Sequence, residues 1–239
     1  MKNLPSCFVA LLASLVLFQT ACTRMQQVRG DRNVVSEQRD VSSFDAIRVE
    51  GALDVYLTQG ESENITVKAD ENLLNVIRTE VSGGTLRIYP EKNIKDAKST
   101  QVYVTLNTLR NLEVSGACDV ESEEMITTET LDLSVSGASD VNLQVQAESL
   151  TSEFSGASDG LLSGEVAFLA INTSGACDVD ASNLVAQDCE VNSSGASNVD
   201  VYAIKTLDAV ASGSSDISFK GNPEILRQKS GNASDISKR

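Results

Sequence analysis

Seven aspartates and one asparagine recur at one phase of this sequence: Asp54, Asp119, Asp140, Asp159, Asp178, Asn198, Asp216 and Asp235. Carboxylates stacked on successive strands would stand about 4.8 Å apart and repel, so they need donors or a cation. One chemistry that answers this is a calcium ladder over Asp119, Asp140, Asp159, Asp178 and Asp216. The other is a series of Asx turns, each carboxylate accepting nearby backbone N–H groups. One carboxylate per repeat offers few of the six to eight oxygens that calcium takes, which favours the turns and no bound metal.

Other chemistry is scarce. The 239 residues include no His and no Trp, which removes Ser-His-Asp and Cys-His catalysis. A formal charge of −15 without a basic stripe argues against nucleic acid. No cofactor is expected. The charged run Glu91-Lys92-Asn93-Ile94-Lys95-Asp96-Ala97-Lys98 holds the candidates for acid-base work on a polysaccharide. Cys118 and Cys177 share one column three repeats apart, on the order of 14 Å and beyond disulfide reach. Cys189 falls among leucines and reads as a small buried hydrophobe.

The aspartates belong to a phrase, Ser-Gly-Ala-Ser-Asp-Val, that returns through the second half of the chain. Its glycines are Gly116, Gly137, Gly156, Gly175, Gly195 and Gly213, with an early copy at Gly51. A period near 20 residues marks a repeat architecture. Counted back from each glycine, Val114, Val135 and Phe154 stand two before, Leu112, Leu133 and Ile171 four before, and Leu131, Leu150 and Leu169 six before. Val120, Val141, Gly160, Val179, Val199 and Ile217 stand four after.

Two period-two strands thus meet at each glycine corner, and the coils are too short to contain a helix. The fold expected is all-β: a single-domain parallel β-helix of about 20 residues per coil, right-handed like about 98% of parallel crossovers. The glycines serve the corners, where φ is positive or the next coil approaches closely. The alanine after each glycine reads as an inward position too narrow for Leu. The serine beyond it reads as dispensable, so Ser139→Ala should matter little.

The N-terminus supplies an address. Lys2, the apolar run Phe8 to Phe18 and the small residues Thr20 and Ala21 read as a signal peptide over residues 1–21. Thr20-Ala21-Cys22 resembles a lipobox, making Cys22 the lipidation site and the membrane the first expected partner. Ordinary cleavage with Cys22 unmodified is the alternative. Residues 22–40 read as the lipidated N-terminus and a tether. No acidic cluster follows Cys22, so a periplasmic and a surface face both stay open.

The β-helix domain is assigned to residues 41–239, with an irregular part over 41–112 and regular coils over 113–239. Within the irregular part, the strand Phe44 to Leu57 carries the first corner. Ile65 to Ala69 is a strand, Asp70 to Asn75 a turn or one helical turn, and Val76–Val81 with Thr85–Tyr89 a hairpin around Ser82-Gly83-Gly84.

The lipobox, the Phe44-to-Leu57 strand, Asp70-Glu71-Asn72-Leu73-Leu74 and the serial corners together resemble the putative auto-transporter adhesin, head GIN domain family of Bacteroidetes envelope proteins. The resemblance runs from about Val41 to the C-terminus and implies a β-helical envelope protein, often lipid-anchored. The function expected is a non-catalytic structural or adhesin-like binding module of the bacterial envelope, an outer-membrane lipoprotein taking a glycan or protein ligand. Self-association stays open. The alternative is a polysaccharide-processing β-helix enzyme.

Overall fold

The computed structural model describes residues 26–231 and 233–239. The signal peptide and Cys22 lie outside the described residues. Strand makes up 71% of the structure, wound into a β-solenoid of about seven turns with roughly 19 residues each. Among the described residues, the helical content is one 3-10 turn at Glu71–Leu73.

Stacking follows the columns. Leu131 pairs with Leu150, Leu150 with Leu169, Leu169 with Cys189, and Cys189 with Leu207. On the other side of the corner Val141 pairs with Gly160, Gly160 with Val179 and Val179 with Val199. Because side chains alternate along each strand, one register carries the aligned apolar columns of the coils into the same core. Val114, Leu133, Val135, Phe154, Ile171 and Val191 are all buried there.

The irregular segment is an excursion that closes one end. Ala46–Gly51 and Asp54–Gln59 form the first regular coil, pairing directly with Asn111–Gly116 and Asp119–Ser122. Between them the chain runs outward. Thr85–Pro90 lies parallel to Ala46–Gly51, and Thr100–Leu106 lies parallel to Asp54–Gln59. Antiparallel strands then extend both sides: Ile77–Ser82 on Thr85–Pro90, and Asn64–Asp70 on Thr100–Leu106. A solenoid end would otherwise expose its core and an unpaired edge.

The expectation of a tether reaching residue 40 is corrected here. Gln27–Arg29 pairs with Asn93–Lys95, and Val34–Arg39 adds antiparallel to Asn64–Asp70. Their polar sequence reads as linker because an outer strand over a cap needs little apolar surface. Arg39 shows why the segment docks. Its guanidinium donates to the carbonyls of Leu74 at 2.6 Å and Ile77 at 2.7 Å, and it pairs with Glu37 at 2.6 Å.

The opposite end is finished by substitution. Gln228, Ser230 and Lys238 stack on Ala209, Ala211 and Phe219, placing polar side chains at the phase that is apolar in the coils before. Leu226 continues the leucine column but is 45% exposed.

Candidate functional site

The corners are the most regular chemistry in the molecule. Gly51, Gly116, Gly137, Gly156, Gly175, Gly195 and Gly213 all have positive φ. Gly137 shows the reason for the column. A Cβ there would lie 2.3 Å from the carbonyl oxygen of Gly116, which instead accepts the Ala138 N–H at 2.8 Å. The same contact repeats from coil to coil, so the glycine is required by close approach as well as by conformation.

Two expectations about the corner are overturned. Ala52, Ala117, Ala138, Ala157, Ala176 and Ala196 are exposed, whereas Cys118, Ser139, Ser158, Cys177, Ser197 and Ser215 are fully buried. Ser139 Oγ donates to Ser136 O at 3.2 Å and accepts the Cys118 N–H of the neighbouring coil at 3.2 Å. Ser197 does the same with Ser194 O and the Cys177 N–H, each at 3.2 Å. The hydroxyl therefore closes the turn from inside and ties adjacent coils, leaving no room for dispensability. Cys118 and Cys177 keep the column with weak S–H donors to Ser115 O and Ser174 O. Both are free, as is Cys189, whose thiol burial pushes up to about 12.

The aspartates form one outward column. Asp54, Asp119, Asp140, Asp159, Asp178, Asn198, Asp216 and Asp235 are cross-strand neighbours in that order. Their oxygens reach along the stack where an Asx turn would keep them at home. Asp159 Oδ1 accepts the Asp178 N–H at 3.2 Å, and Asp216 Oδ1 accepts the Asp235 N–H at 3.1 Å. Asn198 interrupts the run of charge and donates its amide to Asp178 at 2.7 Å. Burial, followed by repulsion from Asp159 and Asp119, raises the Asp140 carboxyl above the ordinary range. Burial and Asp119 do the same to Asp54. Among the described residues no three acidic or cysteine side chains converge as metal ligands. The column is a row, and a calcium ladder would need convergence.

Next to the column lies a trough of about 300 Å³ lined by Tyr56, Asp119, Glu121, Asp140, Asn142 and Leu161. Tyr56 stacks on Tyr103 with ring centroids 4.9 Å apart. The Gln101 amide donates to Tyr56 OH at 3.4 Å. This wall is absent from the sequence reading, because the pairing of Asp54–Gln59 with Thr100–Leu106 spans the excursion that breaks the period. The trough can accept hydrogen bonds from hydroxyls and offer an aromatic face to a ring.

The two acids of the candidate enzymatic run sit in exposed ion pairs. Glu91 pairs with Arg78 at 2.8 Å, Asp96 pairs with Arg29 at 2.8 Å, and Asn93–Lys95 is a strand.

A family model described as "Putative auto-transporter adhesin, head GIN domain" matches residues 43–223. The chain belongs to this head GIN domain family. Solved structures agree on the fold of this head GIN protein. A putative adhesin from Bacteroides fragilis superposes with a TM-score of 0.84 at 23% identity, covering 89% of this chain and 100% of its own. One from Parabacteroides merdae gives 0.72 at 18% identity, covering 90% and 99%. A protein from Parabacteroides distasonis described as a putative lipid binding protein gives 0.68 at 22%, covering 90% and 100%. No curated protein matches the chain. Head GIN membership points to the cell envelope, and among the described residues no helix is long and apolar enough to cross a membrane.

Proposed function

We propose that this head GIN protein is a non-catalytic, adhesin-like binding module, held in the envelope by a lipid on Cys22, with the Tyr56 trough as its binding face. One observation carries the reading. Coils stacked in strict register set Asp119, Asp140 and Asp159 in a rigid outward row beside the stacked Tyr56–Tyr103 pair. Sites built on strands are preorganised, and aromatic faces with acceptor side chains suit neutral polyhydroxylated ligands such as glycans. The carboxylates repel anionic ones.

A glycan array with the purified protein tests this. Neutral glycans should bind and Tyr56→Ala should abolish the signal. Equal binding of acidic glycans, or indifference to Tyr56→Ala, would rule out the trough. Release of reducing ends from any bound polysaccharide would instead make the protein an enzyme. Metabolic labelling with a fatty-acid analogue, lost in Cys22→Ser, checks the anchor, and protease shaving of intact cells decides which side of the membrane the body faces.

A further inference from the structure

The N-terminal segment differs from the body it docks on. Residues 26–43 contribute no buried side chain, whereas Ile65, Val67, Ala69 and Asp70 of the strand beneath are buried. Its hold on the cap consists of two strand ladders, partial burial of Val28 and Val41 against the core, and polar side-chain contacts gathered at a few points. Asp70, fully buried, accepts the Arg32 N–H at 2.9 Å from the segment and the Lys98 and Ser99 N–H groups at 3.1 Å from the facing loop. Asn72 accepts the Asp31 N–H at 3.1 Å and donates to Arg29 O at 2.7 Å. Between those grips Arg32 sits at φ 65, an unfavourable conformation for a residue with a side chain. The bend is stored strain that the bonds around it hold in place.

We propose that residues 27–40 are a releasable strap, locked by Asp70, which undocks as a unit while the coils from Ala46 onward stay folded. Segments with little buried apolar surface open at lower free energy than the core they cover. Docked, the strap keeps the body close to whatever holds the N-terminus. Released, its 14 residues reach about 45 Å at roughly 3.3 Å each. The change of stand-off rests on the proposed anchor at Cys22. The undocking does not.

Hydrogen exchange on the full-length chain, read by mass spectrometry, separates the two. Strap peptides should exchange faster than peptides from 131–217 in the wild type. In Asp70→Asn they should speed up by about 10-fold or more while the coils are unchanged. Asn72→Ala, at an exposed position, should accelerate the same peptides to a lesser degree, and it decides the matter if Asp70→Asn fails to fold. Acceleration spread through the coils, or a strap indifferent to both substitutions, would overturn the proposal. Loss of fatty-acid labelling with strap exchange intact would remove the anchor and leave the strap.

Discussion

The ring of Phe154 occupies the space that a side chain on Gly160 would fill: a Cβ at Gly160 would lie 2.5 Å from Phe154 Cζ. The two residues face each other across one coil, and each departs from its column, where Val135 precedes Phe154 and Val141 precedes Gly160. Large meets small, and the core keeps its density. Gly160→Val should destabilise by about 1–3 kcal/mol through overpacking, and Phe154→Ala by about 3–5 kcal/mol through the cavity left. Phe154→Val with Gly160→Val rebuilds the neighbouring coil's pairing and should recover much of the loss. Urea titration of the single and double variants measures the coupling, and simple additivity would show that the contact carries no energy.

At the corner, the inward serine and the outward alanine should respond in opposite ways. Ser139→Ala leaves the buried Cys118 N–H without its partner and should cost about 1–3 kcal/mol. Ala138→Ser, on the exposed side, should stay within about 0.5 kcal/mol of wild type. Urea midpoints compare them directly.

Two aspartates should give opposite pH responses. Burial pushes the Asp70 carboxyl up, but the N–H groups of Lys98, Arg32 and Ser99 and the charge of Arg32 outweigh it and hold it below the ordinary range. Its contribution is therefore present above the unfolded value, near 3.9, and is lost as pH falls through the lowered folded value. Asp140 is raised, so its ionisation opposes folding at neutral pH and that opposition is relieved as pH falls through the raised value. Thermal melts should show Asp140→Asn more stable than wild type at pH 7, with the gap closing by about pH 4. Asp70→Asn should be less stable at pH 7, with a gap that persists at pH 4 and narrows below it.

The repeat made the coils readable. From Gly137 to Gly213 the even offsets up to six residues on either side of the glycine point inward, Leu131, Val135 and Val141 among them. Ser139 obeys it too, at two after the glycine, but its hydroxyl suggested the surface and Ala138 suggested the core. Parity outranks polarity where a buried hydroxyl finds partners on both neighbouring turns. The cap was legible as strands and opaque as pairings, because Val34–Arg39 meets Asn64–Asp70 and Asp54–Gln59 meets Thr100–Leu106 across long stretches of chain without periodicity. The Tyr56 wall depends on one of those pairings, and so the proposed binding face came into view only with the structure.

Stacking in register also makes the chain divisible. Val145 pairs with Gly164 and Gln146 with Glu165, so excising residues 146–164 would join Val145 to Glu165 at the phase Gln146 now holds. That cut removes Phe154 and Gly160 together, whereas a cut at the Gly156 corner would strand one without the other. The shortened protein should melt as a single cooperative unit by circular dichroism, while an excision one residue longer should not fold. The molecule's length is then a quantity counted in whole turns, open to gain or loss by duplication wherever mutually fitted residues travel in the same turn.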